Sequence, residues 1–582
     1  MRKALLVLLL GMFFASPKGL RAGEAAKPEW QKRWVYVPSN LYVNENLPKL
    51  EALFKRAKAA GYNGVLFTDY KTFTWWNLDA AERWKANARK LRALCTDLGL
   101  ELNLCVMPFG YASSLLFNDV NLANGMPVKD APLLAQGGAL VPQQTAELKN
   151  GSFEERQDHR ALGFGFQDNI GAGSFIDTET VKHGAAALRF EDVGKVNPHG
   201  HGRINQKLKV KPWTQYRLRV WLKAERLTAG EVKLLVLAGK RTLQHQYVPY
   251  LADGELRRLH GARDFTCDWV EASVTFNSLD NEEVGVYLGQ WGGKTGKLWF
   301  DDCRIDDAPT LNLLRRDSLP IRLAGEDGTL YEEGKDFERV EDPKLGRAKW
   351  PGTYDTRHEP PVIKLTADSR IKEGQKVLFS GYHATIVMQG QMNCSMSEPK
   401  VFELCKLELE KAIESVNPDG WFMSHDEIRC AGWEPAQLEK FKTSGELLAH
   451  NIRRCYEIAN ETGGGKPVYV WSDMYDPHHN AHEDFYLVNN TIAGSWEGLD
   501  PNVIVMKWGG GKIARPGLQH FAARGHKQMI AGYYDEDVRK NHEMWLEAAR
   551  DVPGVIGAMY TTWADDYANL EKFAEVWWGG GK

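Results

Sequence analysis

Midway through the second half of the chain, Gly420-Trp421-Phe422-Met423 reads as an apolar strand that stops abruptly in Ser424-His425-Asp426-Glu427-Ile428-Arg429. A histidine, two adjacent carboxylates and an arginine make a poor core and a good rim. Neighbouring carboxylates push their pKa values apart, so one can keep a proton near neutrality while the other stays charged. Acid-assisted cleavage of an acetal asks for that division: a protonated carboxyl for the leaving oxygen, and a group that steadies the oxocarbenium-like centre. Glu427 is read as the acid, and His425 as a residue that orients a carboxylate. The bland alternative is an acidic pair at a helix N-terminus, with Arg429 neutralising it at the surface. Cys430-Ala431-Gly432-Trp433 begins no helical stripe, which favours chemistry.

Other polar residues follow strands in the same way. Asp69 stands just past the strand 64–67. Residues 468–471 run into Ser472-Asp473, and 503–506 into Lys507-Trp508-Gly509-Gly510. Residues 529–532 run into Tyr533-Tyr534-Asp535-Glu536-Asp537, and 557–560 into a turn with Trp563 and Asp565. Asp473, Asp535, Glu536 and Asp565 are alternative second carboxylates, and a nucleophile among them would make an ordinary retaining hydrolase. Asp476, His478, His479, His482 and Glu483 lack metalloprotease spacing and read as a polar loop, so no metal site is expected there.

The elements that position these residues alternate. Strands at 34–37, 64–67 and 102–106 are separated by helices striped by Leu50, Leu53, Phe54 and Ala57, then by Trp84, Ala88, Leu91, Cys95 and Leu98. After Ser397 the alternation resumes, with Val401, Leu404, Cys405, Ile413 and Val416 on one helical face. Three strands before the interruption and five after it predict an α/β fold, a (β/α)8 TIM barrel interrupted after strand 3. In such a barrel chemistry sits at the C-terminal strand ends, which puts Asp426 and Glu427 at the end of strand four. If residues 377–380 are instead a barrel strand, the pair moves to strand five.

The interruption is β-rich. Short alternating runs between about 150 and 307 predict an antiparallel sandwich, and 309–392 a small β subdomain. Asn150-Gly151-Ser152-Phe153-Glu154, Lys211-Pro212-Trp213-Thr214-Gln215-Tyr216 and Gly296-Lys297-Leu298-Trp299-Phe300-Asp301-Asp302 resemble jelly-roll carbohydrate-binding modules. That resemblance implies that Asp301 or Asp302 holds a structural calcium or a turn. Trp221 reads as core, and Trp213 and Trp291, in turns, as stacking candidates, although a folding accessory is favoured over a sugar site. The expected division is 1–22 signal, 30–140 first barrel part, 148–308 sandwich, 309–392 small β subdomain and 393–582 second barrel part.

The Asp-Glu pair at the end of a fourth barrel strand resembles family 20 glycoside hydrolases, the β-N-acetylhexosaminidases. The resemblance covers the two barrel segments. It implies Glu427 as acid/base, Asp426 as the residue orienting the substrate's acetamido nucleophile, and walls of Trp471, Trp508, Tyr533 and Trp563 around a terminal sugar. Asp69, His425, Arg429, Asp473 and Asp535 complete the expected binding set. The family's His-x-Gly-Gly before the pair is replaced here by Phe422-Met423-Ser424-His425, and its separate N-terminal α/β domain is not apparent.

Composition agrees with a sugar-directed protein. The 582 residues are 43% apolar and carry 73 basic against 76 acidic side chains, a net charge of -3, which argues against nucleic-acid and anionic-membrane partners. The 20 tryptophans offer flat rings for the C–H faces of pyranosides. Eight cysteines show no zinc spacing, and Cys267 with Cys303 is a candidate disulfide. Arg2, Lys3 and an apolar run over 4–15 ending before Pro17 read as a secretory signal, too short for a membrane span. The expectation is a secreted or periplasmic glycosidase acting on oligosaccharide or polysaccharide, exo-acting on a terminal β-linked N-acetylhexosamine, with no catalytic cofactor. A retaining hydrolase of non-acetylated sugars and a non-catalytic carbohydrate-binding protein are the alternatives.

Overall fold

The computed structural model describes residues 30–69, 71–72, 74, 81–228, 230–247, 265–349, 351–388 and 390–580. The apolar segment read as a secretory signal lies outside them. No helix among the described residues is long and apolar enough to cross a membrane.

Eight parallel strands close into a barrel: β1 (Lys32–Pro38), β2 (Gly64–Thr68), β3 (Glu101–Val106), β4 (Gly420–Met423), β5 (Val468–Trp471), β6 (Ile504–Lys507), β7 (Gln528–Tyr533) and β8 (Val555–Thr561). Their buried side chains divide between two layers as strand alternation requires. Trp34, Tyr36, Leu66, Phe422, Tyr469, Trp471, Met506, Met529 and Met559 fill the interior. Val35, Val65, Leu102, Trp421, Val470, Val505 and Tyr560 meet the outer helices. Helices lie in the connections at Asn46–Ala59, Ala81–Asp97, Pro399–Ser415, Ser444–Thr462, Ala514–Ala522 and Val538–Ala549, and Leu570–Trp578 follows β8. Between β5 and β6 an α-helix is replaced by 3-10 turns at Asp473–Tyr475 and Ser495–Gly498, with Leu487–Val488 pairing Cys430–Ala431 in a small parallel bridge.

The β-rich interruption enters after β3 and returns into the helix Pro399–Ser415. Lys376–Ala384 pairs antiparallel with Arg322–Gly325 and Gly125–Gln136, so it is no barrel strand, and β4 pairs directly with β3. The small sheet has six strands and draws Gly125–Gln136 and Ala139–Pro142 from the segment expected to belong to the first barrel part. Pro127 and Pro132 disguise that strand in the sequence, because proline interrupts the usual strand signal. Two five-stranded antiparallel sheets form the sandwich.

None of the eight cysteines, all among the described residues, is in a disulfide. Cys267 and Cys303 do not form the expected disulfide because they lie on strands flanking Gln215–Leu227, where Ala224 faces Cys267 on one side and Arg219 faces Arg304 on the other. Two inter-strand spacings, about 9.6 Å, exceed the reach of a disulfide. Asp301 accepts from the backbone amides of Lys182 (2.7 Å), His183 (3.0 Å) and Asp302 (2.7 Å), the turn role. Trp221 is half-buried on an outer face with Lys182 Nζ 4.0 Å from its ring centre, and is not core. Trp213 packs edge-on against Trp433 of the barrel loops (5.6 Å) and joins the two regions where a free stacking ring was expected.

Candidate active site

The end of β4 is held open by its neighbours. Ser424 N donates to Val106 O and Phe109 N to Ser424 O, extending the β3–β4 ladder by one step. The pleat then breaks: Glu427 adopts φ 51°, in the left-handed region. Gly110 makes the close approach possible, since a Cβ there would lie 1.9 Å from Asp426 O. Asp426 and Glu427 thereby both face one cavity of about 540 Å3, which Tyr36, Trp471, Trp508 and Trp563 wall with aromatic rings. Asp69, Tyr111 and Glu408 also line it.

The two carboxyls are treated differently. Glu427 Oε1 lies 2.8 Å from Arg429 Nη2, and the Tyr111 hydroxyl donates to Oε2. Arg429 is itself buried and donates to Gln391 Oε1 (2.7 Å), while Gln391 Nε2 donates to Glu427 O (2.9 Å). Asp426 receives only Ser424 Oγ (2.8 Å) among side-chain donors described. Burial, then the charges of Asp473 and Glu427, push its pKa up to about 7. Asp473 is fully buried behind the pair and accepts from Glu427 N (2.9 Å), Trp508 Nε1 (3.0 Å) and Asn480 Nδ2 (2.9 Å). One carboxylate thus fixes the Glu427 backbone and the indole wall together.

Of the expected residues, Asp426, Glu427, Asp69, Trp471, Trp508 and Trp563 line the cavity, and Arg429 and Asp473 support it from behind. Asp69 accepts from Leu41 N, Lys71 N and Trp84 Nε1, so it also organises the loops around β2. Three residues stand elsewhere. His425 is buried against Phe109, with Nε2 on Asn451 Oδ1 at 3.0 Å, and orients no carboxylate, because the alternation that sends Phe422 and Ser424 inward sends it outward to the helix layer. Tyr533 stacks on Tyr560 and its hydroxyl accepts from Asn569, also in the helix layer. Tyr534, not Tyr533, packs beside two of the wall rings, Trp508 (6.5 Å) and Trp563 (6.1 Å). Asp535 is exposed and accepts from Thr562 Oγ1, Trp563 N and Ala564 N, holding the Trp563 turn without entering the cavity.

Sequence reading missed Tyr111, Gln391 and Glu408. The first two lie in loops without periodicity. Glu408 had a signal: with Val401, Leu404 and Cys405 it completes an i, i+3, i+4, i+7 stripe, a carboxyl where the pattern asks for an apolar residue. It is buried, Oε2 accepts from Met107 N (2.9 Å), Oε1 has no hydrogen-bond partner, and burial raises its pKa well above the carboxylate range. Among the described residues, no three His, Cys, Asp or Glu side chains converge as a metal site.

No family model and no curated protein matches the chain. Among solved structures, a rhamnosidase from Novosphingobium sp. PP1Y is similar over 92% of this chain and 55% of its own, at 10% identity and TM-score 0.32. A Flavobacterium johnsoniae chitobiase is similar over 32% of this chain and 30% of its own (17% identity, TM-score 0.24). A xylan-binding domain from Paenibacillus barcinonensis is similar over 28% and 92% (12% identity, TM-score 0.18). Likeness of this extent assigns the chain to no family, and what the cavity does is argued from its residues.

Proposed function

We propose that the protein is a glycoside hydrolase whose working groups are Asp426 and Glu427. The observation that carries this reading is the division between them: one carboxyl pushed up to about 7 beside a second that receives Arg429 and Tyr111, both in a tryptophan-walled cavity. Glycosidic hydrolysis uses such a pair, one carboxyl carrying the proton and the other the charge.

The finer reading is exo-cleavage of a terminal β-linked N-acetylhexosamine with the substrate's acetamido group as nucleophile. What supports it is the state of the other carboxylates. Asp69, Asp473 and Asp535 are each committed to backbone or indole donors, and burial holds Glu408, whose Oε1 is unpartnered, towards its neutral form, a poor nucleophile. The distribution of contacts also favours an exchange of the expected roles. Asp426 is the better proton carrier, and Glu427, whose partners Arg429 and Tyr111 serve a charged carboxylate, is the better acceptor for an acetamido N–H. A retaining enzyme with a protein nucleophile is the second reading.

Kinetics on an aryl N-acetylhexosaminide test this. Both Glu427→Gln and Asp426→Asn should lower kcat by about 10^2–10^4-fold. With Asp426 as proton carrier, kcat/KM falls as pH rises through about 7, and that limb disappears in Asp426→Asn. If the limb persists there and is lost in Glu427→Gln, the roles revert to the expected ones. Full turnover in both variants sinks the hydrolase reading.

A further inference from the structure

Leu66 belongs both to the barrel interior and to the cavity lining, which marks the cavity floor. The alternation that turns Leu66 and Phe422 inward also turns Thr68, at the end of β2, and Ser424, just past β4, to the same side. Cys105 of β3 lies between them, and its thiol has Thr68, Ser424, Asp426 and Glu408 around it.

Glu408 reaches this floor from outside the barrel, from the helix Pro399–Ser415. Beyond Val106 the chain leaves the pleat, with Met107 at φ 53°, and the Met107 amide donates to Glu408 Oε2 (2.9 Å). That bond ties the carboxyl to the end of β3. Glu408 Oε1 and Thr68 Oγ1 are both buried without a hydrogen-bond partner, on side chains only 1% and 8% exposed. Burial disfavours the charged form, so Glu408 keeps its proton at neutral pH. With Oε2 accepting from Met107, the O–H belongs on Oε1. Buried polar atoms left unpaired are costly, and these two border the cavity, from which a partner can come.

The rest of the lining limits what that partner can be. Among the described residues, the charged side chains that line the cavity are Asp69, Glu408, Asp426 and Glu427, all of them carboxyls, and Arg429 stands behind Glu427. A carboxylate or sulfate on the ligand would meet like charge. A hydroxyl can accept from the Glu408 O–H and donate to Thr68 Oγ1 at once. A deoxy position would leave both atoms unpaired.

We propose that Glu408 and Thr68 are a specificity-determining pair, a polar floor that recognises one hydroxyl of an uncharged sugar held in the cavity. The role rests on the hydrolase reading of the cavity and adds to it which group the enclosed sugar must carry. Neither residue is assigned to the bond-breaking step.

The full chain is assayed on aryl N-acetylglucosaminide, glucoside and galactoside, each beside its 3-, 4- and 6-deoxy analogues. For the sugar turned over, one deoxy analogue should fall about a hundredfold below its parent in kcat/KM. Glu408→Leu should bring the parent down to the level of that analogue while the analogue itself changes little. Glu408→Gln still accepts from Met107 N and donates from its amide, and should keep most of the discrimination. Thr68→Val should erase about a tenfold part of it, and carries the test if Glu408→Leu does not melt cooperatively. A residue that only steadies the Met107 turn would lower parent and analogues together. The floor is overturned if no analogue is disfavoured, if the parent-to-analogue ratio survives both Glu408→Leu and Thr68→Val, or if Glu408→Gln is as damaging as Glu408→Leu. Should no glycoside be turned over, calorimetry with the free sugars and their deoxy analogues reads the same ratio. A Glu408-dependent preference in binding then keeps the floor and removes the hydrolase, and its absence overturns both. Turnover without a Glu408-dependent preference removes the floor alone.

Discussion

Two acidic pairs stand at adjacent strand ends, Asp426 with Glu427 after β4 and Asp473 with Asp476 after β5, and they have opposite fates. Asp473 is taken up by three donors. Asp476 lies 3.0 Å from Lys507 Nζ with both side chains fully buried, and its Oδ1 accepts from His478 N. Asp426 and Glu427 line a cavity instead, Asp426 with Ser424 Oγ as its one described side-chain donor and Glu427 with Arg429 and Tyr111. Composition does not separate the pairs; placement does. Buried behind the cavity, carboxylates become structure, and where they line it they stay available.

The sharpest way to break the comparison is to damage the structural pair. Asp476→Asn strands Lys507 as a buried cation and should cost about 3–5 kcal/mol of stability, read by denaturant unfolding. A loss as small as that of a surface substitution would show that the β5 pair is not structural. Next is the geometry of the available pair. Gly110→Ala drives a methyl group into Asp426 O and should lower kcat about a hundredfold while the chain stays folded, as thermal melting reports. Unchanged turnover would mean that the close approach of the two loops has no bearing on the carboxyls.

The smallest effect is a stability change with pH. Asp426 has a folded pKa raised above its unfolded value, so the folded state binds the extra proton between about pH 4 and 7, and stability falls as pH rises through that window. Asp426→Asn should remove this loss and melt a few degrees above wild type at pH 8, with the gap closing towards pH 4. Equal melting at both values would place the proton elsewhere.

Much of this arrangement could be read from the chain. The barrel strands were legible because each is an apolar run between helices with clear stripes, and the polar residues at their ends pointed to the cavity. Side-chain direction was not legible where the backbone departs from the pleat. Tyr533, Tyr534 and Asp535 have φ of 87°, 51° and 63°, and that twist exchanges the two tyrosines between the wall and the helix layer. His425, by contrast, keeps the alternation of β4: Phe422 and Ser424 point inward, Trp421, Met423 and His425 outward to the helix layer. Tyr111 and Gln391 reach Glu427 from segments remote in sequence, and no local pattern encodes such a meeting. Glu408 was legible and was passed over because its stripe was otherwise apolar.

The pairing of β3 with β4 has a temporal side. The contact from Leu102 N to Asp419 Oδ2 joins residues 317 apart along the chain. Closing so long a loop from an unstructured chain would cost about 5 kcal/mol in entropy before the barrel gained anything. If the sandwich and small sheet fold first, they bring Val106 and Gly420 within reach as two ends of a compact body. Barrel closure would then be the late step, and β4 would join β3 only on a finished insert. On this view the interruption works as an assembly jig: Asp426 and Glu427 meet the loops around them when the inserted body has already taken shape.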